Sequence, residues 1–165
     1  MKSRSIVLAA ALAVLPAAPA LAQAKMVDLT DPMNVAMALE DAGYDAEVKT
    51  SEKGSPYIVS HANGSEFIIR LYGCEEQIKC TSLEFFSRWE PQPWFTAELA
   101  NEWNSSKRFM FVSVNEKGEL MQSMDLPGSG PVSFDYFADA LDWYVTIDGQ
   151  FNEWLEAREP DKKTK

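Results

Sequence analysis

The dipeptide Asn63-Gly64 constrains what this chain can fold into more than any other feature of the sequence. Both residues tolerate positive φ, so the pair forms the favoured two-residue turn of a β-hairpin. That turn sets Ala62 opposite Ser65, Ser60 opposite Phe67 and Ile58 opposite Ile69. Ile58, Phe67, Ile69 and Leu71 then share one face, which we assign to the core. Tyr57, Val59, His61, Glu66, Ile68, Arg70 and Tyr72 share the other, a mixed surface. A slip of one residue would exchange the two faces, so the register is well specified.

Other elements follow around this hairpin. Thr30-Asp31-Pro32 places a polar cap before a proline at the first helical position, and Gly43 closes a helix over 32–42. Glu47 to Thr50 supplies a short additional strand, and Thr81 to Trp89 another that ends at Glu90-Pro91-Gln92-Pro93. A second helix is expected over 93–103, with Phe95, Leu99 and Trp103 on one face and Asn104 as its cap. A second hairpin spans 108–126 and turns at Asn115-Glu116-Lys117-Gly118; Pro127 to Pro131 reads as a loop. The last helix runs over 134–156. Phe137, Leu141, Tyr144, Val145, Phe151 and Leu155 form its inward stripe, and Asp135, Asp139, Asp142, Glu153 and Glu156 its outer side. Gly149 predicts a bend or interruption there. The order α-β-β-β-α-β-β-α, with a fourth strand before the second helix if Glu47 to Thr50 is counted and with antiparallel hairpins covered by helices, defines an α+β fold. One domain over 28–157 and a disordered charged tail over 158–165 complete the expected layout.

The N-terminus carries its own message. Lys2 and Arg4 precede an apolar run from Ile6 to Leu15, and the small-x-small sites Ala20-Leu21-Ala22 and Ala22-Gln23-Ala24 follow. That order is a secretory signal peptide over 1–24, with cleavage after Ala22 or Ala24, and the run is too short to span a bilayer. The alanine-rich leader points to bacterial export into the periplasm, with no membrane insertion after cleavage. The chain has 15 Lys+Arg against 25 Asp+Glu, and removing the leader leaves 13 against 25, a formal charge of −12. Such a surface repels phosphate backbones and anionic headgroups, which argues against nucleic-acid and membrane-surface roles; it would attract a basic partner, although surplus acid more often simply keeps an exported protein soluble.

Residues with chemical potential are few. Cys74 and Cys80, the only cysteines, flank five residues between two expected strands. If the strands pair, the cysteines close the hairpin base, where a disulfide adds about 2 kcal/mol in the chain-entropy model. A redox-responsive pair and a metal site are the alternatives, although the spacing is not that of CxxC and a metal lacks further ligands. His61 is the only histidine and is expected to pair across the strands with Glu66, which leaves no base for a serine or cysteine nucleophile. Asp135 and Asp139 share a helix face, a weak signal for carboxylate chemistry on a helix with five acids. No nucleotide, zinc-protease or calcium-loop motif is present, so neither cofactor nor enzymatic activity is expected. Trp89 and Trp94 flank the proline-containing loop, where they suit either core packing or an exposed recognition patch.

From Cys80 onward the chain resembles the bacterial YbjN domain. The resemblance is carried by Thr81-Ser82-Leu83-Glu84-Phe85, by Asn101-Glu102-Trp103-Asn104 with Arg108-Phe109, and by Asn115 to Leu120. Met124-Asp125-Leu126, the last helix with Trp143 and Phe151, the Phe67 strand and the early Gly43-Tyr44 also match, so that it extends over Asp28 to Leu155. It implies a sensory-transduction regulator with a fold like that of type III secretion chaperones, one that binds protein and often forms a homodimer. The leader sets this chain apart from the better-known cytoplasmic members.

The expected function is therefore an exported, non-enzymatic domain, regulatory or chaperone-like, that binds a protein or peptide in the cell envelope. Trp89, Trp94, Trp103, Asn104, Arg108 and Phe109 are the candidate binding residues, with a helix end packed on the next strand as the alternative, and preferred, role of Trp103, Asn104, Arg108 and Phe109. A secreted small-ligand carrier with an apolar pocket and a carboxylate-dependent hydrolase are the rival readings.

Overall fold

A computed structural model describes residues 24–128 and 130–160. The leader up to residue 23 and the end of the tail from residue 161 lie outside the described residues. Eleven elements follow in order: β1 (Met26–Asp28), α1 (Pro32–Asp41), β2 (Glu47–Thr50), β3 (Pro56–Ala62), β4 (Ser65–Tyr72), β5 (Ser82–Trp89), α2 (Ala97–Ser106), β6 (Phe111–Val114), β7 (Leu120–Pro127), β8 (Pro131–Ser133) and α3 (Phe134–Glu156). The architecture is α+β, as expected. No helix among the described residues is long and apolar enough to cross a membrane.

The Asn63-Gly64 hairpin has the expected register, with Ala62 opposite Ser65, Ser60 opposite Phe67 and Ile58 opposite Ile69. Its inward residues Ile58, Phe67, Ile69 and Leu71 are all buried. Around it, six antiparallel strands form one sheet in the order β2-β3-β4-β5-β7-β6. Helix α3 lies on the inner face, where Tyr144 packs on Phe67 and Phe85, with ring centroids 5.3 and 5.1 Å away. Helix α1 covers β2 and β3 on the same side.

The helix caps follow the chemistry of their residues. Asp31 accepts from the Met33 N–H at 2.9 Å ahead of Pro32, and Gly43 takes φ +92° after the helix. Helix α2 starts later than 93. Thr96 accepts from the Leu99 N–H at 3.2 Å and caps it, while Pro93 to Phe95 form a turn that drops the Phe95 ring into the core. Asn104 is not its cap but lies within it.

Several expectations need correction. Helix α3 continues through Gly149 without interruption. A Cβ there would stand 3.2 Å from Asn63 Nδ2, so the glycine provides room for the hairpin tip rather than a break. On the inward stripe Val145 is only partly buried, while Ile147 and Asp148 are buried. The second hairpin begins at Phe111, because Phe109 has φ +68° and cannot continue a strand. Pro131 leaves the expected loop to begin β8, which pairs with β1 in a separate two-stranded sheet. The short strand at Glu47–Thr50 is present as β2, so four strands separate α1 from α2, the larger of the two expected numbers. Arg158, placed in the tail by the sequence, is instead held in the fold by an ion pair with Glu102, and its guanidinium lies 3.9 Å from the Trp154 ring centroid.

Cys74 and Cys80 form a disulfide in the loop that joins β4 to β5, just beyond the ladder pair Tyr72–Ser82. His61 does stand opposite Glu66, but its ring pairs with Asp45, with Nδ1 2.7 Å from Oδ2. The loop after α1 runs beside β3, and Asp45 also accepts from the His61 backbone N–H at 3.0 Å. The hydrogen bond from the His61 side chain lowers the Asp45 pKa. Both groups are exposed.

Candidate functional site

The segment Asn101-Glu102-Trp103-Asn104 is scaffolding. Trp103 is 1% exposed, and its ring meets Phe151 and Trp154 edge-on at 4.8 and 5.3 Å. Asn104 acts on the sheet edge: its Nδ2 donates to the Val112 carbonyl and its Oδ1 accepts from the Val112 N–H, both at 2.9 Å. One side-chain amide thus satisfies the outward donor and acceptor of Val112 on β6, the edge strand, and hinders addition of a further strand there. Buried Trp103 and engaged Asn104 are therefore corrected from candidate binding residues to structural ones.

Five residues after Asn104 the chain reverses character. Phe109 is 57% exposed and sits in the left-handed region, a conformation that costs a non-glycine residue about 1–2 kcal/mol. Its ring rests on Trp143 with centroids 5.3 Å apart, and the Arg108 guanidinium lies 4.8 Å from its centre. Phe109 and Trp143 form two walls of a groove of about 330 Å³, with Met124, Leu126, Pro127 and Tyr136 completing its apolar lining. Asp125 and Asp139 stand at its rim. Trp143 and Tyr136 remain about half exposed, 48% and 49%. Neither was among the candidate binding residues. Both fall off the inward stripe of α3, and a large aromatic residue off-stripe is the signal that points to them.

Trp89 and Trp94 line a different concavity, of about 420 Å³, beside Asn63, Glu90, Phe95 and Asn152. Both rings are partly buried: Trp89 meets Phe151 edge-on at 5.1 Å, and Trp94 meets Phe95 at 4.6 Å. This concavity sits where the sheet divides. The β4–β5 ladder ends at Ile68–Phe86, whereas β3–β4 pairing continues to Ala62–Ser65 and β5–β7 pairing to Trp89–Leu120. The hairpin tip is tied to α3 instead, with Asn63 Nδ2 donating to the Val145 carbonyl at 2.8 Å and to Asp148 at 3.2 Å.

Asp148 is the keystone of this end. It also accepts from Gln122 at 3.0 Å, Asn152 at 3.1 Å and Ser87 at 3.3 Å, and Ser87 meets the Tyr144 hydroxyl at 2.6 Å. Burial raises its pKa against the opposing effect of these hydrogen bonds, and burial likewise raises that of Tyr144. The surrounding donors are neutral amides and a hydroxyl, and no second carboxylate is among its hydrogen-bond partners. That arrangement fixes a helix against a sheet; a carboxylate pair for acid–base chemistry needs a second acid. Asp135 and Asp139, the other pair considered, are both exposed on α3.

A family model, YbjN, described as "Putative bacterial sensory transduction regulator", matches residues 31–157. No curated protein and no solved structure matches the chain.

Proposed function

The chain belongs to the YbjN family, a family described as regulators, and from that premise we propose an exported regulatory domain that acts by holding a protein segment in the Phe109–Trp143 groove. The observation that carries this reading is the contact of two half-exposed aromatic rings beside a concave apolar surface. Aromatic residues left in solvent beside a concave apolar surface are characteristic of recognition sites. The backbone of Phe109 adds weight, since strained residues concentrate where function holds them in place.

A small-ligand carrier would keep an apolar cavity between sheet and last helix. Phe67, Phe85, Phe137, Leu141, Tyr144 and Phe151 fill that space, which favours the surface groove over a carrier. Export rests on the leader, and the protein recovered from the periplasm is expected to begin at Gln23 or Lys25. Binding is tested by placing a photo-crosslinking residue at position 136, in the groove, and at exposed position 53, which does not line it. A discrete adduct in the cell envelope from 136 alone, lost in Phe109→Ser, is the expected result. Equal adducts from both positions, or none from 136, reject the reading.

A further inference from the structure

We propose that the groove is built for a cationic amphipathic peptide segment, one that brings apolar side chains to the Phe109–Trp143 pocket and Lys or Arg side chains to its rim. This rests on the binding reading above and gives the partner its chemistry.

The argument comes from two stripes along one helix. Tyr136, Ala140 and Trp143 follow one another at helical spacing and line the groove. Asp135, Asp139 and Asp142 run beside them at the same spacing, all exposed. Asp125, on β7 across the groove, is exposed as well. Among the described residues, none of these four carboxylates takes part in an ion pair. Two cations lie near these residues: Arg108, over the Phe109 ring, and Lys25, over the Phe134 ring and paired with Asp41. An apolar trough is thus flanked on both sides by carboxylates without counter-charges. A partner carrying positive charge on both flanks gains attraction there, and an acidic partner meets repulsion.

Two further points select a peptide segment. The stretch from Tyr136 to Trp143 is about 10 Å long, two turns of helix, which matches a short segment with a few anchoring side chains. A second copy of the chain fits poorly, because its own Asp135–Asp139–Asp142 stripe would approach an identical one on a protein of formal charge −10.

The test uses the purified protein in the form the cell accumulates. The probes are two fluorescent amphipathic peptides with identical leucine and phenylalanine positions, one with lysine and one with glutamate at the polar positions. Fluorescence anisotropy is expected to show the lysine peptide binding at least about tenfold more tightly, with the gap narrowing as salt is raised. The double variant Asp125→Lys/Asp139→Lys, which changes exposed side chains only, is expected to reverse the preference. Equal binding of both peptides, lost in Phe109→Ser, overturns the charge assignment and leaves the groove reading standing. Failure of both peptides to bind overturns the charge assignment, and together with no adduct from position 136 it overturns the groove reading as well. A concentration-dependent rise in mass that Phe109→Ser abolishes assigns the groove to a second copy and overturns the proposal.

Discussion

Trp103 and Phe109 stand six positions apart in one distinctive segment, yet they occupy opposite environments. Trp103 is 1% exposed and joins α2 to the aromatic cluster of α3, while Phe109 is 57% exposed and rests on Trp143 at the surface. Their neighbours divide in the same way. Asn104 spends its amide on the β6 edge, and Arg108 lies over an exposed ring. The contrast teaches that a contiguous motif need not be a contiguous site. Its first half secures the element from which its second half is displayed.

The hardest blow to that division would come from Trp103. Trp103→Ala is expected to lose about 3–5 kcal/mol of stability in chemical denaturation, the range for a large buried aromatic residue. A loss no greater than that of Phe109→Ala would break the comparison. Asn104→Ala comes next, at about 1–3 kcal/mol, because Val112 is left with an unpaired donor and acceptor. It should also self-associate with rising concentration by sedimentation, since the β6 edge is then open; a stable monomer would remove the edge-capping role. A double-mutant cycle between Phe109 and Trp143 sharpens the other side, with an expected coupling of about 0.5–1 kcal/mol for one exposed ring pair. Phe109→Gly should have the smallest effect on stability, less than about 1 kcal/mol in either direction, because relief of the left-handed backbone offsets the lost ring contact. Binding at the groove should nonetheless be lost. A large destabilisation would make Phe109 a structural residue like Trp103.

What the residues disclosed in advance depended on how far their interactions reach. The Asn63-Gly64 turn specified its own register, because turn geometry and side-chain alternation act between neighbours. Asp31 and Pro32 did the same for the start of α1. Gly149 misled, because its meaning lies in Asn63, which is brought against it from the hairpin tip. Asp148 was missed although a carboxylate on the stripe Leu141, Tyr144, Phe151 and Leu155 is a sign of a buried polar network. Of the six candidate binding residues, Arg108 and Phe109 lie at the groove, Trp89 and Trp94 line the concavity at the divided sheet, and Trp103 and Asn104 hold the scaffold together.

By itself, then, the order of amino acids determined the α+β class, the central hairpin with its buried face and the disulfide between strands that adjoin in the chain. Turn chemistry, capping and hydrophobic period are short-range and survive being read one segment at a time. Only the tertiary structure decided that β7 lies between β5 and β6, that the sheet divides beyond Ile68 and Phe86, and which aromatic rings stay in solvent. Burial is set by what arrives from elsewhere in the chain. Phe151 and Trp154 reach Trp103 and cover it, while Trp143 reaches Phe109 from one side and leaves the other open.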